Sequence, residues 1–132
     1  MIVVDTSALV SILKSEPDAA QFAVTLAEAS RVVIAAPTKF ELLLVMARSQ
    51  HEDGVEDARL LLAANAIETA DWTDDLADIA TSAFLRYGKG RHKAGLNFGD
   101  CMAYALAKSL DVPLLFKGED FSSTDITPAL QS

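Results

Sequence analysis

The chain has 132 residues, of which 51% are hydrophobic, and its 19 acidic and 11 basic side chains give a formal net charge of −8. This length predicts a single domain spanning residues 1–132, and the hydrophobic fraction excludes a disordered chain. Cys101 is the only cysteine, which excludes an internal disulfide and favours a cytoplasmic protein. No apolar run approaches the roughly 20 residues that would span a bilayer.

Apolar runs of strand type alternate with longer segments of helical periodicity along the chain. Strands are predicted at residues 2–4, 32–35, 67–69 and 113–116, with a last short strand beginning at Ile126. Helices are predicted at residues 7–14, 17–29, 38–48, 55–64, 73–87 and 100–110. The helix at 38–48 is apolar nearly all round, which predicts that it is buried. This alternation predicts an α/β fold whose parallel sheet is covered on both faces.

Two carboxylates directly follow predicted strands, at the edge where parallel sheets bind their ligands. Asp5 comes after the strand at 2–4, and Asp120 comes after the strand at 113–116 in the segment KGEDF. Each also has a purely local explanation, because aspartate often caps helices and stabilises turns.

Two further carboxylates lie in the first turns of strongly apolar helices. Glu41 stands in PTKFELLLVM, where Thr38 three residues earlier completes the spacing of a capping box. Asp100 lies three residues after Asn97, which could cap the same helix. If the fold brings all four carboxylates together, their charges repel one another unless a cation compensates them. Clustered carboxylate oxygens without His or Cys ligands favour Mg²⁺ or Mn²⁺.

The net charge argues against a nucleic-acid partner, but the distribution of basic residues does not. Four of the 11 basic side chains fall in one short segment around the glycine-rich sequence GKGRHKAGLNFG. They are Arg86, Lys89, Arg91 and Lys93. Because this basic loop directly precedes Asp100, we interpret it as a set of phosphate contacts rather than a merely solvated loop.

The chain resembles the PIN-domain ribonucleases, and most closely the VapC toxins of bacterial type II toxin–antitoxin pairs, in four segments: MIVVDTSALV, KFELLLV, LNFGDCMAYALAK and PLLFKGEDFSSTDI. The resemblance spans nearly the whole chain, and YGKGRHKAGLNFGDC is its most distinctive part. It implies a three-layer α/β/α sandwich with a mainly parallel central sheet, and Mg²⁺- or Mn²⁺-dependent cleavage of RNA. It also implies a homodimer and neutralisation by a VapB antitoxin.

The resemblance places the four carboxylates on the acidic constellation of the family. It implies that Asp5 and Asp100 hold the main metal ion. Glu41 and Asp120 would hold a second metal ion or orient the attacking water. Either Thr6 or Ser7 falls on the hydroxyl position beside the first aspartate, and we expect Ser7 to position Asp5 or a metal-bound water.

The chain departs from the family pattern near the fourth acid. Many PIN domains carry Ser or Thr a few residues before it, whereas Lys117 and Gly118 occupy that segment here. Asp125 lies nearby, so that either Asp120 or Asp125 could supply the fourth carboxylate.

Three other functions compete with this hypothesis. A metal-independent ribonuclease would use His92 with Lys89 or Lys93 as acid and base. A phosphoacceptor domain of receiver type would join strand-end aspartates to a lysine such as Lys117, but DTSAL offers no second acid beside Asp5. A catalytically inactive module with the PIN fold would only bind a partner.

Overall fold

The computed structural model describes residues 1–130 and shows in them a four-stranded sheet with five α-helices. The strands are β1 (Ile2–Val4), β2 (Val32–Ala35), β3 (Glu68–Ala70) and β4 (Leu114–Leu115). The helices are α1 (Thr6–Leu13), α2 (Ala19–Glu28), α3 (Ala36–Ala64), α4 (Asp74–Tyr87) and α5 (Phe98–Leu110). A short 3₁₀ helix covers Asp120–Ser123.

The strands pair in the order β3-β2-β1-β4, and each pairing is parallel. Successive strand side chains point to opposite faces of a sheet, so Val3 packs in one hydrophobic cluster while Ile2 and Val4 pack in the other. Helices α4 and α5 cover the first face, and α1, α2 and α3 cover the second. The prediction of a three-layer α/β/α sandwich around a parallel sheet is confirmed.

The strand order also fixes where a ligand site can form. From β1 the chain continues to β2 on one side, and β4 later adds to the other side of β1. Such a reversal opens a crevice at the carboxyl ends of the strands. The crevice therefore lies where the segments after β1 and β4 leave the sheet.

Helix α3 differs from the predicted pair of helices in its bounds. It begins at Ala36 instead of residue 38, because Pro37 suits the first turn of a helix. The predicted helices at 38–48 and 55–64 form one helical stretch that is interrupted at His51, where φ is 56° and ψ is −140°.

The prediction that the first half of α3 is buried all round is wrong. Leu42 and Met46 are fully buried, whereas Phe40 is 66% exposed and Leu44 is 38% exposed. One stripe of the helix faces the core, and the apolar side chains on the other side are left in solvent.

Other boundaries also differ: α5 begins at Phe98 instead of residue 100, and β4 covers Leu114–Leu115 instead of residues 113–116. Helix α2 begins at Ala19, so that Pro17 precedes the helix instead of lying in its first turn. The expected strand from Ile126 is reduced to an isolated parallel pairing of Leu114 with Pro128, because proline lacks the N–H that would extend a ladder. None of the helices within residues 1–130 is long and apolar enough to cross a membrane.

Candidate active site

Asp5 lies directly after β1, at the carboxyl edge of the sheet, and caps the N-terminus of α1. Its Oδ2 accepts hydrogen bonds from the Ser7 amide at 3.1 Å and from the Ser7 hydroxyl at 2.6 Å. The residue is only 4% exposed. The capping explanation is thus correct for Asp5, but a cap through one oxygen leaves the carboxylate able to bind a ligand through the other.

The Ser7 hydroxyl connects the segments that follow β1 and β4. It donates its proton to Asp5 and accepts a hydrogen bond from the backbone amide of Lys117 at 2.9 Å. The Lys117 ammonium binds Glu16 and Asp18, each at 3.1 Å. Lys117 therefore fixes the segment that leads to the fourth acid, and its ammonium is not held by the strand-end aspartate as a receiver-type site would require.

Glu41 does not form the capping box that its spacing with Thr38 suggests. Because α3 begins at Ala36, Thr38 lies inside the helix, and its buried hydroxyl has no hydrogen-bond partner within residues 1–130. Glu41 Oε1 instead accepts a hydrogen bond from the Thr6 hydroxyl at 2.6 Å. This bond holds the Glu41 carboxylate toward the segment that contains Asp5.

Gly99 allows the Glu41 carboxylate to lie against the first turn of α5. A Cβ atom at position 99 would stand 2.1 Å from Glu41 Oε2, which is far inside van der Waals contact. Although it belongs to the glycine-rich segment of the sequence, Gly99 is a helix residue and not part of an adaptable loop. The absence of its side chain brings α3 and α5 together immediately beside Asp100.

Asp100 occupies the first turn of α5, which begins at Phe98. The predicted cap is confirmed, because the Asp100 amide donates to Asn97 Oδ1 at 2.8 Å and the Asn97 amide donates to Asp100 Oδ2 at 3.1 Å. These bonds fix the orientation of the Asp100 side chain at the helix N-terminus.

The four carboxylates form one electrostatic group. Burial and, to a lesser extent, the charge of Glu41 raise the pKa of Asp5 to about 6 against the lowering effect of the Ser7 hydrogen bonds. Burial, aided by the charges of Asp5 and Asp120, raises the pKa of Asp100 to about 7 against the lowering effect of the Asn97 hydrogen bond. Within residues 1–130 no basic side chain forms a salt bridge with any of the four, so their repulsion is left unbalanced.

The structure also separates the two candidates for the fourth acid. Asp120 lies close enough to Asp100 to raise its pKa. The Asp125 carboxylate instead accepts hydrogen bonds from the Tyr104 hydroxyl at 2.5 Å and from the Lys108 ammonium at 3.0 Å. Geometry therefore favours Asp120 as the fourth member of the group.

The donor chemistry of the group fits a hard divalent cation. Within residues 1–130, no three His, Cys, Asp or Glu side chains are arranged so that they could hold a metal ion as they stand. The available donors are nevertheless all carboxylate oxygens, which suit Mg²⁺ and Mn²⁺, and a bound cation would relieve their repulsion. Asp120 is exposed at the start of the 3₁₀ helix, so its side chain is free to rotate toward the others.

The predicted basic contacts divide into two groups. The Arg86 guanidinium lies 4.8 Å from the Tyr87 ring centroid and 3.7 Å from Asp125. Lys89, Arg91 and Lys93 are exposed, and within residues 1–130 none of them has a salt-bridge partner. The loop thus presents three uncompensated cations, whereas Arg86 is already paired.

His92 has a structural place in this loop. Its Nδ1 accepts a hydrogen bond from the Ala94 amide at 3.0 Å, and its ring packs edge-on against Tyr87 at 5.1 Å.

Cys101 is buried beside Asp100, and burial raises the pKa of its thiol to about 11. The thiol is therefore protonated near neutral pH.

Sequence reasoning missed how Thr6, Gly99 and Lys117 support the site. The sequence predicts a single hydroxyl position filled by either Thr6 or Ser7, but each of the two holds a different carboxylate. The only signal for Thr6 was that it adjoins Asp5. The contacts made by Gly99 and Lys117 cross between distant segments and have no local signature.

Comparisons with known proteins agree with this geometry. The family model of the PIN domain matches residues 2–126. Ribonuclease VapC30 of Mycobacterium tuberculosis is 46% identical over 125 residues, which cover 94% of this chain and 95% of VapC30. The chain therefore belongs to the PIN-domain family. Within that family, its similarity to curated VapC ribonucleases places it among the VapC toxins of toxin–antitoxin systems.

Solved structures show the same fold at lower sequence identity. The crystal structure of Mycobacterium tuberculosis VapC20, described as a sarcin-ricin loop cleaving toxin, matches with a TM-score of 0.78 at 15% identity and covers 96% of this chain and 97% of that one. VapBC-1 from nontypeable Haemophilus influenzae matches with a TM-score of 0.72 at 20% identity and covers 96% of each chain.

Proposed function

We propose that this protein is a cytoplasmic endoribonuclease that hydrolyses RNA phosphodiester bonds with Mg²⁺ or Mn²⁺. The grouping of Asp5, Glu41, Asp100 and Asp120 at the carboxyl edge of the sheet carries the proposal. A divalent cation bound there would neutralise charge on the phosphate and activate the attacking water.

The four carboxylates and Ser7 have different roles in this proposal. Asp5 and Asp100 would supply the principal oxygen ligands, and the Ser7 hydroxyl holds Asp5 in place. Glu41, oriented by Thr6, and Asp120 would hold a second ion or orient the water. Attack by water would leave a 5′-phosphate and a 3′-hydroxyl on the products.

Metal removal tests this mechanism. With purified protein and labelled RNA, we expect EDTA to abolish cleavage and Mg²⁺ or Mn²⁺ to restore it, and we expect Asp5→Asn to be inactive at every metal concentration. Cleavage that persists in EDTA, or products with a 2′,3′-cyclic phosphate, would favour a metal-independent mechanism through His92. An Asp5→Asn variant as toxic in cells as the wild type would favour the inactive binding module.

We further propose that the basic loop holds the RNA backbone. Three exposed and unpaired cations, Lys89, Arg91 and Lys93, support this role. Replacing Arg91 and Lys93 together by glutamine should weaken RNA binding. It should also lower the slope of log K against log salt by roughly 0.7 for each phosphate of a single strand that is no longer neutralised.

Two matched charge removals serve as controls for the loop. Arg86→Gln removes a cation that is already paired with Asp125, and Lys14→Gln removes one at the far end of α1 from Asp5. Each removes one charge and should change RNA affinity and its salt slope by much less than half of the effect of the double substitution. A control with half of that effect or more would mean that only net charge matters.

The assembly that we propose is a homodimer whose toxicity is neutralised by a VapB-type antitoxin. The likeness to the VapBC-1 structure supports the antitoxin, and the exposed Phe40 and Leu44, one turn apart on α3, support an apolar contact between copies. Light scattering should give the mass of two chains, and Leu44→Asp should shift it toward one. Co-expression of the cognate antitoxin should abolish toxicity.

A further inference from the structure

An apolar groove lies on the α4–α5 side of the carboxylate group. It has a volume of about 460 Å³, and its lining includes Trp72, Phe84, Phe98, Cys101 and Met102. Phe98 is the first residue of α5 and is 80% exposed. Phe98 and Asp100 both lie in the first turn of α5, so the groove and the carboxylate group share the N-terminal end of that helix, although Asp100 does not line the groove.

One wall of the groove combines a fixed aromatic ring with a free cation. The Phe84 ring packs against the backbone of Gly88, where a Cβ atom would stand 2.6 Å from the ring carbon Cδ1. The Arg91 guanidinium lies 5.8 Å from the centroid of the same ring. Within residues 1–130 Arg91 has no carboxylate partner, although the protein carries a net charge of −8.

This combination of groups fits an unpaired nucleotide better than an apolar peptide. A nucleobase presents a flat π-face for stacking on an aromatic side chain, and the phosphate next to it requires a cation. An apolar peptide would use the aromatic side chains but would leave Arg91 without a function. A volume of about 460 Å³ also falls within the usual range of pockets that hold small organic groups.

We propose that this groove binds an unpaired base of the RNA substrate beside the bond that is cleaved. The base stacks on Phe98, and Arg91 contacts the adjoining phosphate. The groove would thus select flexible, unpaired RNA over duplex, whose bases are already stacked on one another. This inference rests on the proposed ribonuclease function, because it assumes that RNA reaches the carboxylates.

The test measures equilibrium RNA binding in an Asp5→Asn background, which keeps the RNA intact. The probe is a fluorescently labelled single-stranded RNA, and a second probe has the same backbone with its bases removed. Phe98→Ala should weaken binding of the intact RNA at least about fivefold, which corresponds to about 1 kcal/mol, the low end of base–aromatic stacking. Phe98→Tyr, which keeps an aromatic face, should bind as the parent does.

The matched control is Leu85→Ala, which removes an exposed apolar side chain from α4 outside the groove. It should leave RNA affinity unchanged, and the probe without bases should not distinguish Phe98→Ala from the parent. Equal affinity of Phe98→Ala and the parent for intact RNA overturns the proposal.

Two further outcomes identify a different occupant and also overturn the proposal. If Phe98→Ala binds RNA normally but loses the antitoxin or the dimer, the groove is a protein interface. If the parent itself fails to bind single-stranded RNA, the proposed function fails as well, and that result is distinct from a defect confined to Phe98 variants.

Discussion

At the residue scale, Glu41 shows how contacts from other segments orient one carboxylate. Its oxygen Oε1 accepts the hydrogen bond of the Thr6 hydroxyl, and its oxygen Oε2 rests where a side chain at position 99 would be. The Thr6 hydroxyl also lies 3.3 Å from the Thr38 carbonyl oxygen, but neither contact involves the Thr38 side chain, which is the natural partner by spacing. The carboxylate is therefore held by its neighbours in space and not by its own helix.

We expect Glu41→Gln to retain the fold and lose most of the ribonuclease activity, by about 100-fold or more, the low end for loss of a positioned acid–base or charged group. The amide oxygen of glutamine can still accept the Thr6 hydrogen bond, so the loss of activity measures the contribution of the negative charge of Glu41. The measurement is kcat on labelled RNA, with circular dichroism to verify the fold.

Thr38→Val is the control for this substitution. The Thr38 hydroxyl has no partner within residues 1–130, so its replacement by a methyl group should leave both stability and activity close to wild type. Loss of stability in Thr38→Val, together with full activity in Glu41→Gln, would restore the capping-box explanation.

At the scale of elements, the close approach of α3 and α5 depends on Gly99. We expect Gly99→Ala to maintain or raise the free energy of unfolding, because alanine is favoured over glycine in helices by about 1 kcal/mol. The added Cβ would stand 2.1 Å from Glu41 Oε2, so the flexible carboxylate must move away from Thr6, and activity should fall. Denaturant unfolding and the cleavage rate measure the two effects separately.

A second substitution checks that the activity loss of Gly99→Ala acts through Glu41. In a Glu41→Gln background, Gly99→Ala should cause little further loss of activity, because the displaced group is already inactive. If the two losses multiply, or if Gly99→Ala is fully active, the position of the Glu41 carboxylate is not the reason for the glycine.

The same elements show what could be predicted from the sequence. The alternation of apolar runs predicted the parallel sheet, and the position of Asp5 after β1 and the Asn97–Asp100 cap were correct because both are local patterns. The start of α3 was wrong because a T-x-x-E spacing outweighed the proline before it. The contacts of Thr6 with Glu41 and of Ser7 with Lys117 join segments 35 and 110 residues apart, so no local pattern encodes them.

At the scale of the whole molecule, the buried acids make the stability of the metal-free protein depend on pH. The folded-state pKa is about 6 for Asp5 and about 7 for Asp100, both above the ordinary value of 3.8. The folded protein therefore binds these protons more tightly than the unfolded chain does. The stabilisation is present below about pH 4 and is lost as the pH rises through about 6 to 7.

We expect the free energy of unfolding in EDTA to be higher at pH 5 than at pH 8, with Asp5 alone contributing about 1.4 kcal/mol of the difference, because its folded-state pKa of about 6 lies about one unit above pH 5. Acids with a lowered pKa, such as Glu68 beside Arg31, titrate below this window. Urea unfolding at several pH values measures how the free energy of unfolding changes with pH, and Asp5→Asn should make that dependence flatter. A metal-free protein that is more stable at pH 8 than at pH 5 would contradict this prediction.

The hydrogen bond from Lys117 to Ser7 joins residues 110 positions apart. A contact of that separation closes almost the entire chain into a loop, and such contacts form late in folding. During synthesis the first acid leaves the ribosome long before the last one exists, and the group is complete only when the segment after β4 has docked. For the ribonuclease proposed above, the complete carboxylate group would therefore exist only after nearly the whole chain has been synthesised.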